Sequence, residues 1–456
     1  MGAVAVLAVA APVTALDLSH PLDLSPAAAG AGAAHAIPRA VQPVIRSRWA
    51  AFAALSLIFF VVSAGAFSSI GVVLPSMVKE MKWSWEEAGI GFTYLGIACG
   101  FASVAPAVLI RSIGVRATVG IGAAILVAGF CLEATTHSLM SYLVGATLIG
   151  LAFALVSTVP GSHVLTGLFK RRSTVLGTYF TIGALGGVAG PQVYVLVNAV
   201  THDWRGYWAV FAVAAVLSGL FAVLTTPAKG GDVAHEDTPH EQVGPARMFR
   251  ELRDPAVRRA LMTPQYYVIV GAYTTYLLIN TTAHGFAIQH LIERGVSSTS
   301  AAAMFSVEAL IGAAVSSIGG LIGEKVAPRT LLIIALMGTT VGMAGLAEAR
   351  DFLLMSVFAL GLGIGFGLSF VASSMLLLRY FGPRPYLELY SVMCLLSTAA
   401  ALGPAYGGHV RDVLGGFSEV FWACCGITAV MLVATVFLKP PRLEGAACET
   451  QAETTP

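Results

Sequence analysis

The sequence predicts an all-α membrane protein whose twelve transmembrane helices form two pseudo-symmetric six-helix bundles. Three observations lead there. Of the 456 residues, 57% are apolar and 11% charged, with a mean hydropathy of +0.80, so the chain cannot cover a water-soluble globule with polar groups and its solvent must be mostly lipid. Apolar runs of about 20 residues, the length of a bilayer crossing, recur along the chain. Finally, the chain repeats its own punctuation. Ala-Val-Leu-Ile-Arg-Ser-Ile-Gly-Val-Arg at 107–116 has a counterpart in Gly-Leu-Ile-Gly-Glu-Lys-Val-Ala-Pro-Arg at 320–329. Each is followed at the same interval by a Gly-Pro pair, Gly190-Pro191 and Gly403-Pro404. The junctions Phe169-Lys170-Arg171-Arg172 and Phe381-Gly382-Pro383-Arg384 also correspond. Two copies of one bundle facing each other create a central cavity, the arrangement used for alternating access.

The spans lie near 49–75, 87–110, 117–136, 139–168, 174–199, 207–225, 263–289, 299–322, 330–348, 352–378, 386–409 and 416–438. The expected organisation is a disordered cytoplasmic tail at 1–48, bundles at 49–225 and 263–438 joined by a cytoplasmic linker at 226–262, and a cytoplasmic tail at 439–456. The linker carries Asp232, Glu236, Asp237, His240 and Glu241, then Arg247, Arg250, Arg253, Arg258 and Arg259, which suits a tether with a surface helix. The apolar run from Gly2 to Leu16 lacks the basic flank of a signal peptide.

Charge sets the orientation. With a cytoplasmic amino terminus, the outer loops hold only Lys79, Lys82, Arg205, Arg294, Arg350 and Arg411 of the 26 Lys and Arg residues. The positive-inside rule therefore places both termini and the linker in the cytoplasm. A net charge of +2, with the cations scattered over loops, leaves no footprint for nucleic acid. Five of the six cysteines lie inside apolar runs without metal spacing, so neither a disulfide framework nor a metal or other cofactor is expected. No His-Glu-x-x-His, Gly-x-Ser-x-Gly or phosphate-cradling loop occurs, which argues against an enzyme.

The twelve spans, the six-loop-six layout and the repeated loop resemble the Major Facilitator Superfamily. Its loop between helices 2 and 3 reads Gly-x-Leu-x-Asp-Arg-x-Gly-x-Arg. The second copy fits through Gly320, Glu324, Lys325 and Arg329; the first fits through Gly114 and Arg116, with Arg111 in the acidic place. The resemblance implies a charge latch between helices on the cytoplasmic side. Gly186, Gly190 and Pro191, and Gly403, Pro404, Gly407 and Gly408, resemble the family's helix-5 glycine-proline motif and its repeat. Glycines of this kind serve close packing or a moving interface.

A narrower resemblance is to the bacterial monocarboxylate-transporter-like and oxalate:formate-antiporter-like branch. It rests on Trp83-Ser84-Trp85, Gly177 after the Phe169 junction, Arg379-Tyr380-Phe381-Gly382, Asp412 with Gly415-Gly416, and His284 with Glu293-Arg294-Gly295-Val296-Ser297 and Ala301-Ala302. It implies a secondary active transporter of small organic acids in the inner (plasma) membrane, functional as a monomer, alternating by a rocker-switch and coupled to protons. The alternative within transport is a proton-coupled exporter of drug-like or aromatic amphipathic compounds. In monocarboxylate carriers a helix-8 Arg binds the carboxylate; that position here is Ser316.

Ionisable groups inside a bilayer are costly and mark functional sites by default. Glu308 lies near the middle of the eighth span and His284 near the outer part of the seventh, with Asn280, Tyr276 and Tyr273 following at helical spacing. A carboxyl and an imidazole at similar depth can share a proton, and His284, Asn280 and the two tyrosines are the donors available to an anionic substrate. His163, Gln192 and Asn198 are secondary cavity candidates, Glu133 is read as a solvated boundary charge, and Arg205 as an interfacial anchor. Because the second loop motif is the fuller one, Glu324→Ala should impair transport more than Arg111→Ala. Equal losses at normal membrane expression, in side-by-side uptake assays, would contradict that asymmetry.

Overall fold

The structure, a computed structural model, describes residues 41–103, 105–169, 172–226, 255–322, 326–382 and 385–441. Twelve helical passes run through it, several made of two pieces. The first is α1 (Val41–Ser63), a π-helical turn (Ala64–Ser68) and α2 (Ile70–Met81). The second is α3 (Trp85–Ala102) with α4 (Ala105–Ile113); the third is α5 (Val115–Ala134); the fourth is α6 (Leu139–Val156) with α7 (Thr158–Leu168). The fifth and sixth are α8 (Arg172–Thr201) and α9 (Trp204–Thr225). After the short α10 (Pro255–Leu261) come α11 (Pro264–Glu293), α12 (Ser298–Ile322), α13 (Pro328–Glu348) and α14 (Phe352–Phe381) as passes seven to ten. The eleventh combines α15 (Tyr386–Ser397), a 3-10 turn (Thr398–Leu402) and α16 (Gly403–Leu414), and α17 (Ser418–Val436) is the twelfth. The first helix thus begins at Val41, inside the stretch read as a tail, and α10 falls within the linker. The remainder of that tail, the linker up to residue 254 and the carboxyl-terminal tail from 442 lie outside the described residues.

Among the described residues, ten helical stretches are by themselves long and apolar enough to cross a bilayer. The other two passes fall short for reasons the residues make plain. The second carries Glu86, Glu87 and the glycines at 89, 91, 96 and 100, and the seventh interleaves Thr, Tyr, Asn, His and Gln along α11. Both use their surface to meet other helices.

Helix starts on the face expected to be outer are capped by side chains. Ser84 and Glu87 form a reciprocal capping box at α3, Ser138 and Ser141 do the same at α6, and Asp203 and Asp351 accept from the first turns of α9 and α14. The π turn in the first pass frees the carbonyl of Ala64, which takes donors from Ser69 Oγ (2.8 Å) and Tyr207 (3.2 Å), so that acceptor is not stranded.

In the first half α5 packs on α6 and α9, and α3 on α6; in the second, α14 packs on α13 and α12, and α13 on α17. Between the halves, α3 meets α16, α8 meets α12, and α2 meets α11. This pattern is its own image when the halves are exchanged: second-with-eleventh becomes eighth-with-fifth, and first-with-seventh maps onto itself. Glycine makes the approaches possible. A Cβ on Gly89 would collide with the carbonyl of Pro404, one on Gly408 with that of Trp85, and one on Gly71 with that of His284.

Within the second half the run Gly361, Gly363, Gly365 and Gly367 lies against α13 and α12. A Cβ on Gly342 would sit 2.7 Å from Leu362 N, and one on Gly361 2.7 Å from Gly342 Cα. Gly342→Leu must push two helix backbones apart, and overpacking of this kind costs roughly 1–3 kcal/mol. We expect a clear fall in melting temperature in detergent, followed by size-exclusion recovery after heating; an unchanged curve would mean that α13 and α14 are not held at this spacing.

Candidate functional site

The sequence spacing of Tyr273, Tyr276, Asn280 and His284 puts these residues on one face of α11. His284 is nine residues from the end of α11 and Glu308 ten from the start of α12, so at 1.5 Å per residue both sit about 14–15 Å below the same face. That is half of a roughly 30 Å hydrocarbon core. His284 Nε2 lies 3.7 Å from Glu308 Oε2, and the two side chains are 9% and 1% exposed. The ring of Phe305 stands edge-on against the imidazole at 5.4 Å. Gly71 of the first pass packs on the backbone at His284, and Gly363 of the tenth on that at Glu308. Four passes therefore enclose the pair.

The protonation pattern follows from the partners. His284 Nδ1 is 2.9 Å from the carbonyl oxygen of Asn280. A carbonyl only accepts, so Nδ1 carries a hydrogen, and in the neutral ring Nε2 is then a lone pair aimed at Glu308. Glu308 Oε1 and Oε2 have no hydrogen-bond partner. A carboxylate facing a lone pair in an apolar setting is repulsive and unsolvated. One proton in the gap removes both faults, whether it resides on the carboxyl or on the ring.

Asn280 thus contributes its backbone to the dyad, while its side-chain Nδ2 is buried without a partner. Tyr276 and Tyr273 stand beyond it in an aromatic group, with Tyr276 5.9 Å from Phe366 and Tyr273 6.4 Å from Phe370 between ring centres. Gln192 Nε2 donates to Ser306 Oγ at 3.0 Å and Ser306 Oγ to Val188 O at 2.9 Å, joining α8 to α12 across the halves. Ser306, two residues before Glu308, carries no signal in the sequence beyond its polarity.

Glu133 corrects the sequence reading. It is one residue from the end of α5 yet only 1% exposed, and its Oε2 has no partner. The reason lies on the facing helix. A Cβ on Gly145 would be 2.6 Å from Glu133 Oε1, so the missing side chain of Gly145 opens the slot that takes the carboxyl in. Arg205 is more than an anchor: it bonds Glu80 Oε1 at 2.6 Å and Thr136 O at 3.0 Å. Its guanidinium holds the Glu80 carboxyl below the usual range.

In the repeated loop, Gly114 adopts φ 87° ahead of α5, a conformation that favours glycine. Arg116 Nε donates to Thr226 O at 2.8 Å, and Arg329 Nε to Thr435 O at 3.2 Å, with a second bond to Val436 O. Each arginine caps the carboxyl end of its own half's last helix, a use different from the cross-helix charge latch that the resemblance implies. Glu324 and Lys325 lie outside the described residues, as does the side chain of Arg111; Gly320 falls in the last turn of α12. Of the glycine-proline motifs, Gly186 and Gly190 seat α8 on the first pass at Phe60 and Ala64. Pro191 lies inside α8 without ending it. Gly403 and Gly407 face Thr282 and Phe286 of α11, and Pro404 opens α16.

Two helical halves built from apolar passes of bilayer-crossing length define a multi-pass membrane protein. The chain belongs to the Major Facilitator Superfamily, whose family model matches residues 1–191, 193–393 and 277–454. It is 26% identical over 388 residues to monocarboxylate transporter 11 of Mus musculus, covering 79% of this chain and 81% of that one. It is 24% identical over 348 residues to the uncharacterized transporter ESBP6 of Saccharomyces cerevisiae, covering 72% of this chain; the match spans 49% of the yeast protein's length. Among solved structures, the nucleoside transporter NupG superposes with a TM-score of 0.66 at 13% identity over 86% of this chain and 98% of that one. The D-xylose-proton symporter superposes with a TM-score of 0.65 at 15% identity over 87% and 98%. These likenesses establish the fold. The protein carries a small solute across a membrane and is not an enzyme.

Glu133→Gln keeps the shape of the buried side chain and removes its ionisable group. Replacing a buried acid whose Oε2 has no partner should leave thermal stability unchanged or raised. A loss greater than about 1 kcal/mol in reversible unfolding would mean that the carboxyl makes a bond the glutamine cannot.

Proposed function

We propose that the protein is a secondary active transporter of small organic acids, coupled to protons and working as a monomer by rocker-switch alternation of its halves. Its place would be the inner (plasma) membrane, with both termini cytoplasmic. The His284–Glu308 pair carries this reading. A group that must hold one proton when sealed from water, and that can release it when water reaches it, is what proton coupling requires. Burial at mid-depth lets either face supply that water as the halves rock.

An anionic substrate needs donors in a low-dielectric site. Ser316 stands where carboxylate-binding carriers place arginine, so the donors available are the hydroxyls of Tyr273 and Tyr276, the unpartnered Nδ2 of Asn280 and the protonated form of the dyad. A proton bound at Glu308 leaves room for one carboxylate charge beside it. The likeness to a monocarboxylate transporter supports the same substrate class. A second reading, export of aromatic amphipathic compounds, is favoured by the ring group of Tyr273, Tyr276, Phe366 and Phe370.

Glu308→Gln preserves shape and hydrogen bonding but cannot titrate. In proteoliposomes it should abolish accumulation driven by a pH gradient while leaving solute exchange within about threefold of the parent, since exchange needs no net proton transfer. For the parent, uptake of a weak acid should rise as external pH falls, because protonation outside loads the pair. Uphill accumulation by Glu308→Gln equal to the parent's would sink the coupling role, and a pH-independent parental flux would favour the exporter.

A further inference from the structure

A second polar cluster joins the halves on the face expected to be outer, far from the dyad in sequence and serving no part of the coupling just described. Ala405, Gly408, His409 and Asp412 share one face of α16 and lie along the start of α3. Asp412 Oδ1 accepts from the backbone N–H of Trp85 at 3.2 Å and Oδ2 from that of Glu86 at 2.8 Å. A carboxylate from one half thus caps a helix amino terminus of the other, where free N–H groups and the helix dipole favour an anion. One turn earlier, His409 Nδ1 donates to Glu86 Oε2 at 2.8 Å. The N–H of Ala405 reaches Thr93 Oγ1 at 3.1 Å. Arg411 bonds Glu293 at 3.0 Å and stands 5.7 Å over the ring of Trp85.

We propose that Asp412 and His409 are gating residues: a latch that holds this face closed. The inference rests on the transport reading of the fold and not on proton coupling at Glu308. Alternation requires α3 and α16 to part, so these bonds must break once in every cycle. The bond from the His409 ring to Glu86 has a carboxylate as its acceptor, which makes it shorter and stronger than a bond between two neutral groups. His409 and Glu86 are half-exposed, at 55% and 46%, so this bond lies open to the solvent on that side.

The test is a distance measurement in the full-length protein in nanodiscs, with the native cysteines replaced. Spin labels at Lys79→Cys and Val413→Cys, both exposed and one on each half, report separation of this face by pulsed electron resonance. The parent should populate mainly a short distance, with a longer one as the minor population. Asp412→Ala should raise the long-to-short ratio about tenfold, the effect of about 1.4 kcal/mol. Asp412→Asn, which retains one acceptor oxygen, should fall between. His409→Ala, which loses the bond to Glu86, should raise the ratio by less than Asp412→Ala without abolishing closure. Unchanged distributions in both Asp412 variants would overturn the latch. Distributions unchanged in the Asp412 variants but shifted in Glu308→Gln would overturn it while leaving coupling at the dyad intact.

Discussion

Lipid tails are as apolar as leucine, so helices in a bilayer gain nothing simply by hiding apolar side chains from their solvent; close backbone packing and a few hydrogen bonds must hold them. The rest of this structure depends on that constraint. Where the halves meet, the contacts are backbone against backbone at Gly71, Gly89 and Gly408. Such surfaces are short-ranged, so the halves can separate without unpacking long interdigitated side chains, and the polar bonds across them are confined to a few places. The polar ties that do cross, among them those at Gln192, Thr181, Thr93, His409 and Asp412, then acquire influence out of proportion to their number.

The same constraint explains where charge is allowed. Glu308 is tolerated because His284 stands opposite and because one proton between them leaves no net charge. Glu133 is tolerated through the slot left by Gly145, with no second ionisable group bonded to it. Both acids are buried, but only one faces a neighbour able to take its proton. The difference separates a group that can work from one that merely fits.

Much of this was legible in the residues. Periodic apolar runs and the repeat at Ala107 and Gly320 specify twelve passes in two halves, because length and period are local properties of the chain. His284 and Glu308 stand out as ionisable groups inside apolar runs, at matching distances from one loop. Glu133 was misread because its environment is decided by a glycine on the next helix, which a one-dimensional pattern does not connect to it. Asp412 was visible only as part of a family-like stretch and His409 carried no signal, since their partners lie 323 to 327 residues away. The π turn at Ala64–Ser68 and the break at Ser157 likewise have no local signature, being stabilised by Tyr207 and Tyr179 from other helices.

The anchoring of His284 Nδ1 on the carbonyl of Asn280 has an electrical consequence. With that nitrogen committed, the ring and Glu308 can hold one shared proton between them, and the loaded pair is neutral however the proton is distributed. Moving a unit charge through the membrane potential involves about 2.3 kcal/mol per 100 mV, and a neutral pair escapes that work entirely. On the proposed coupling role, the loaded pair reorients without opposing or drawing on the voltage, and the membrane potential acts instead on the proton as it enters or leaves and on the unloaded pair, which carries the carboxylate charge.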